Sequence, residues 1–357
     1  MPDAPSPTDR SPHWRRVVGL FLLGTLTVGV WLRWALAGAT ELPVDFAHLR
    51  HAHSHLGYFG VLFPLAWMGL EQVEATTPGP RLRWAYALST LVATVGFIGG
   101  GYGPVAIAGC TAVAAVWLIH AAALSPRMRH LEDPLGAVPL GLLLSLACVP
   151  PVAINLRTDP ELAHGFVSTF LAGLLFTVLI PACLARWRVF VAPWPFLLAA
   201  AALGALALGV WSSVPARLGL IVLGGLLAVP AASTRLPGHL RTAWALVGLG
   251  LVALALGLLP NSRPVALGAI HFLVLGPVLA SLVPAWLSRP PSDRMWWGGH
   301  ACWGAMAGAL VLQGLGAGAW TWTAAAAGGT ASWVWWVMVL VGQLGPTQEA
   351  PEGVQMS

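Results

Sequence analysis

The sequence predicts an all-α membrane protein, a single polytopic bundle of about twelve transmembrane helices. Three observations carry this. Hydrophobic residues make up 57% of the 357 and charged residues 9%, with mean hydropathy +0.76; a soluble domain carries about 25% charged residues. The apolar residues fall into runs of the roughly 20 residues that a helix needs to cross hydrocarbon. The basic residues, eighteen Arg and no Lys, concentrate in alternate gaps between those runs.

Residues 1–14, rich in Pro, Ser and Asp, read as a disordered cytoplasmic tail. Residues 15–344 form one transmembrane domain, and 345–357 a second disordered tail. Arg15 and Arg16 precede the first run, roughly 17–37. It lacks a small-residue cleavage site and is read as a retained span. The second, roughly 53–71, is opened by His51-Ala52-His53-Ser54-His55. The third and fourth, roughly 85–103 and 104–124, are divided by Gly99-Gly100-Gly101. Roughly 134–155 is the fifth, and 161–185 the sixth, with His164 in its first turn. The next four fall at roughly 192–213, 215–233, 241–260 and 264–287, the last with His271 seven residues in. The final pair, roughly 297–317 and 319–343, is divided at Gly316-Ala317-Gly318.

Arg placement orients the twelve. Arg15 and Arg16, Arg81 and Arg83, Arg127 and Arg129, Arg186 and Arg188, Arg235 and Arg241, and Arg289 and Arg294 all fall on one side. The other side holds only Arg33, Arg50, Arg157, Arg217 and Arg263. Positive residues mark the cytoplasmic side, so both termini are cytoplasmic in a bacterial-type inner membrane. The net charge of +5 then reports topology, and no nucleic-acid partner is implied. Cys110, Cys148, Cys183 and Cys302 stand singly in apolar segments, without CxxC or CxxCH; neither a zinc knuckle nor c-type haem is supported. No Asp or Glu lies deep in a span, and Gln313 is the main polar side chain there, which argues against proton pumping. Trp333, Trp335 and Trp336 read as interface anchors.

The orientation gathers six of the eleven histidines at the outer end. His48, His51, His53 and His55 open the second span and His164 the sixth. His271 lies about 10 Å into the tenth. His13, His120, His130, His239 and His300 go to the cytoplasmic side and read as loop or interfacial residues. Imidazole is the commonest side-chain ligand for haem iron, copper and zinc, and ionisable groups in lipid are expensive enough to mark function. His48, His51 and His55 share a helical stripe. His53 points the other way, in line with Gly57 and Gly60, which leave a groove for a macrocycle or a neighbouring helix. A bis-histidine haem needs one ligand from each of two facing helices, and His53 or His55 with His271 meets that need. The stripe, with His164, would instead suit copper or zinc.

The segment His53-Ser54-His55-Leu56-Gly57-Tyr58-Phe59-Gly60-Val61 resembles the motif that opens the second span of haem–copper oxidase subunit I-like proteins. His164-Gly165-Phe166 with Gly173-Leu174-Leu175-Phe176-Thr177, and His271-Phe272-Leu273-Val274-Leu275-Gly276, are similar to motifs of the NnrS family, associated with nitric-oxide tolerance. The resemblance implies a low-spin haem b between His53 or His55 and His271, and a copper-ligand position at His164. Departures are specific: Ser168 stands where the oxidases have Tyr, the seventh span has no His, and Leu273 replaces a second His in the tenth. A complete oxygen-reducing centre is not expected. The reading is a membrane haem-b protein for electron transfer, or for binding or turnover of a small gas such as nitric oxide, served by a membrane or periplasmic electron donor. His51 and His164 would form a second-metal or pocket site, and Tyr58 would meet a propionate or line the pocket. The alternative is a copper- or other metal-handling membrane protein using His48, His51, His53 and His55.

Overall fold

The computed structural model describes residues 12–71, 78–129, 135–155, 158–189, 191–192, 194–207, 213–260, 262–287 and 290–343. His130, Arg157, Arg289 and most of both tails lie outside the described residues. All regular structure within them is helical. The described residues run as twelve rods: α1 (Pro12–Leu36), α2 (46–71), α3 (Pro80–Gly100), α4 (Pro104–Leu124), α5 (Val138–Asn155), α6 (160–186), α7 (Trp194–Ala207), α8 (213–232), α9 (Gly238–Ala255), α10 (263–285), α11 (Asp293–Gly314) and α12 (Trp320–Gly342). Among the described residues, eight helices are long and apolar enough to cross a membrane. The other rods are shorter, as α7 and α8 are, or carry polar side chains, as α2 and α11 do. The chain is thus a polytopic helical membrane protein.

Helix α1 starts earlier than the sequence reading has it. Pro12–Trp14 belong to the helix, not the tail, because Trp14 is buried against Trp84, with ring centres 6.3 Å apart. Nearby, the Trp286 indole donates to the Arg15 carbonyl at 3.0 Å. The start of α1 therefore lies at the end of the bundle where α10 finishes and α3 begins. We call this the Arg-rich end and its opposite the histidine end.

Successive rods pack side by side, and α12 returns to pack on α1. Their contacts are close because small residues face each other. A Cβ on Gly96 would stand 2.4 Å from the Ala106 backbone nitrogen, and one on Gly109 2.5 Å from that of Ala93. In lipid, where water supplies no force between helices, such backbone approach is what gains dispersion energy.

Rods α2, α6 and α10 turn inward, and their halves toward the Arg-rich end pack on one another. Each carries a π-helical turn midway: Leu56–Leu62, Gly173–Leu179 and Val274–Val278. Each turn lies at or just before a proline, Pro64, Pro181 or Pro277. Proline lacks an N–H and crowds the carbonyl four residues back, and a widened turn relieves both. Proline alone does not suffice, since Pro150 and Pro151 sit inside α5 without widening.

Candidate functional site

The site begins with the cap of α2. Asp45 Oδ1 accepts the backbone N–H groups of Ala47 at 2.8 Å and His48 at 3.1 Å. The His48 N–H is the main cause holding this carboxyl below its usual range. The cap starts the helix at Phe46, seven residues before the predicted span, so all four histidines of the run stand on one regular helix.

Their faces then diverge. His53 turns toward α1, where its Nδ1–H donates to the Thr25 carbonyl at 2.8 Å. Gly29, one turn on, makes the approach possible: a Cβ there would lie 2.7 Å from His53 Cε1. Across the bundle, His271 Nδ1–H donates to the Leu267 carbonyl at 2.6 Å. A carbonyl can only accept, so in both rings the proton sits on Nδ1 and Nε2 keeps its lone pair. The ring centres are 6.4 Å apart and the planes within 16° of parallel. An imidazole nitrogen binds a metal at about 2 Å and lies ~1.1 Å from its ring centre, so two rings in line across one ion stand about 6 Å apart. The separation fits.

The surroundings fit as well. The segment Phe46–His55 packs mainly on α1 and α3, and Arg263–Leu273 mainly on α11; they meet through the two imidazoles. Both rings lie deep among the helices yet keep accessible surface. Arg33 on α1 is an electrostatic neighbour of both. Its Nη1 donates to the Gly29 carbonyl at 3.0 Å, and its buried Nε has no partner. A buried guanidinium short of acceptors is suited to an anionic group.

The remaining histidines of the run face elsewhere. His55 lies 4.1 Å from Phe97, 5.1 Å from Phe59 and 6.2 Å from Tyr102, and its Nδ1–H donates to the His51 carbonyl at 2.9 Å. His51 stands 4.7 Å from Tyr102. His48 packs over Gly101, whose φ of 58° turns the chain there. The structure therefore brings His53 to His271 and puts His48, His51 and His55 against α3. His164 is exposed on α6, near enough to His51 to interact electrostatically, and Ser168 is exposed beside it. Among the described residues no group of three or more His, Cys, Asp or Glu side chains is placed to hold a metal ion.

Gly57 and Gly60 admit a helix. A Cβ on Gly57 would meet Thr25 Cγ2 at 3.3 Å, and one on Gly60 would meet Phe21 at 2.8 Å; of the two occupants considered for that groove, it is α1 that fills it. Tyr58, between the two glycines in sequence, is half-buried against the core.

Sequence reasoning passed over Arg33, which looks in sequence like one more interfacial Arg. Its spacing from Thr25 and Gly29, one helical turn each, was the available signal. It also passed over the burial of three histidines. His120, His239 and His300 stand within helices and are buried, not in loops. The Trp67 indole donates to His120 Nδ1 at 3.2 Å, while His239 and His300 lie among tryptophans. Apolar neighbours in sequence mask such pairings, because each partner comes from a different rod.

Comparison with protein-family models, with curated proteins and with solved structures gave no match.

Proposed function

We propose that this chain is a membrane haem protein of twelve spans, with the Arg-rich end cytoplasmic. His53 and His271 would hold one b-type haem near the outer face. The function is electron transfer, or binding or turnover of a small gas such as nitric oxide. The single observation that carries the reading is the His53–His271 pair: two imidazoles from different rods, each tied through Nδ1 to a carbonyl, with ring centres at 6.4 Å. The Nδ1 anchors fix the tautomer, set ring orientation and make Nε2 a stronger donor. Arg33 would face the macrocycle's carboxylates. A haem held there by His53 and His271 would supply one-electron redox chemistry and the capacity to bind a diatomic gas.

The resemblance to haem–copper oxidase subunit I and to NnrS proteins supports the same ligand pair. Ser168, Leu273 and the absence of histidine from the seventh span argue against a complete oxygen-reducing centre. The copper-handling alternative would need three or four converging donors. His51 and His55 face aromatic rings instead, and His48 packs over Gly101.

The test is the absorbance spectrum of the purified full-length protein. Wild type should show a Soret band and sharp reduced α and β bands. His271→Ala and His53→Ala should each lose or convert the six-coordinate spectrum, while His55→Ala should keep it. A colourless wild type, or an unchanged His271→Ala spectrum, would defeat the proposal.

A further inference from the structure

A second imidazole pair lies toward the Arg-rich end. His239 stands in the first turn of α9 and His300 two turns into α11, with ring centres 5.5 Å apart. They are 4% and 8% exposed. Trp296 stacks on His239 at 5.6 Å, and Trp303 meets His300 edge-on at 4.9 Å. Neither nitrogen of His300 has a hydrogen-bond partner, and His239 Nδ1 has none either. Buried imidazole nitrogens are almost always paired, because an unpaired buried polar group loses its hydration without a replacement hydrogen bond. Three orphaned nitrogens on two adjacent rings are a deficit that packing among tryptophans does not offset.

A metal ion bound by one nitrogen of each ring would satisfy two of the three. With imidazole nitrogens at about 2 Å from an ion, ring centres 5.5 Å apart correspond to an angle of roughly 120° at the metal, within reach of a three- or four-coordinate ion. His53 and His271, by the same arithmetic, stand nearly in line. Asp293 lies at the mouth of the inner pair, its Oδ1 3.8 Å from His239 Nδ1 and its side chain 80% exposed. Two donors on one ion are typically about 3–4 Å apart, and an exposed carboxylate is free to turn inward. The set is two neutral nitrogens and one carboxylate oxygen, which suits a borderline divalent ion such as Zn²⁺ or Cu²⁺.

We propose that His239 and His300 form a two-histidine site for a divalent transition metal, separate from the His53–His271 pair, which Asp293 completes as a third donor only when its side chain turns inward. It does not rest on the haem reading. The full-length protein, stripped with chelator, is titrated with Zn²⁺ against a chromophoric competitor. One high-affinity equivalent per chain is expected. It should weaken at least tenfold in His239→Gln and in His300→Gln, weaken in Asp293→Asn, and persist in His271→Ala. Zn²⁺ should raise the Tm of wild type and leave that of His239→Gln/His300→Gln unmoved. Asp293 is exposed, so Asp293→Asn tests the site without disturbing the core. Absence of a tight equivalent in wild type overturns the proposal. So does a tight equivalent that survives in the double variant, which would place the ion at His48, His51 and His55, or elsewhere.

Discussion

Gly29→Ala tests the His53 assignment without touching a ligand. The added methyl carbon would stand 2.7 Å from His53 Cε1 and 3.3 Å from its Nδ1. Carbon atoms in contact prefer about 3.5–4.0 Å, so the ring must retreat by close to 1 Å or α1 must shift. The ring cannot retreat freely, because its Nδ1–H is held by the Thr25 carbonyl of the same helix. Overpacking of this kind costs about 1–3 kcal/mol. Taken entirely from the ligand position, that is roughly 5- to 150-fold in haem affinity. Gly24→Ala is the matched control, on the same helix and meeting only the Leu56 Cδ2 tip at 3.2 Å. The assay is haem titration into apoprotein, followed by the oxidised and reduced spectra. Gly29→Ala should bind haem more weakly and show a partly five-coordinate spectrum, with Gly24→Ala near wild type. If both variants matched wild type in affinity and spectrum, His53 would not be an axial ligand, and the argument from its position would fail.

Arg33→Gln should keep the bis-histidine spectrum and lower the haem midpoint potential, since removing a positive charge favours the ferric state; an unshifted potential in a redox titration would take Arg33 out of the site. Gly96→Ala should destabilise the α3–α4 contact by about 1–3 kcal/mol or more, because its Cβ would meet Ala106 backbone atoms at 2.4 and 2.8 Å. Gly99→Ala, which meets nothing within 4 Å, serves as reference in thermal unfolding. Asp45→Ala should lower the Tm at neutral pH. The Asp45 pKa is depressed in the folded chain, so its contribution is present above the unfolded value, near pH 4, and is lost as pH falls through the folded one. The Tm gap to wild type should narrow on acidification, and a gap independent of pH would show that Asp45 does not cap as a carboxylate.

Eight of the rods were legible because each is a long apolar run, and hydropathy records length directly. Their ends were less so. Helix α2 begins at Phe46 because Asp45 caps it, a signal carried by one polar residue ahead of the apolar stretch. The π turns left no trace in hydropathy, which is blind to hydrogen-bond register. Pro64, Pro181 and Pro277 marked where to look, but Pro150 and Pro151 show that the same residue also sits in an unwidened helix.

The same limit separates the two imidazole pairs. Depth along a rod follows from counting residues, and depth brought His53 or His55 level with His271. Which of the two faces across could not follow, because the rotation of a rod is set by its neighbours. Gly29 and Thr25 on α1 receive the His53 ring, while Phe97 and Tyr102 receive His55. For His239 and His300 depth alone did not show burial. Each falls near the start of its apolar run, where an interfacial place is the simplest reading, yet α11 closes Trp296 and Trp303 over them, with Trp335 of α12 packed behind. A histidine that pays for burial without a hydrogen bond is the more informative of the two cases. At His53 and His271 the backbone already satisfies one nitrogen and leaves one donor for a ligand. At His300 it satisfies neither, which is why that ring and not the other pair points to a further ligand.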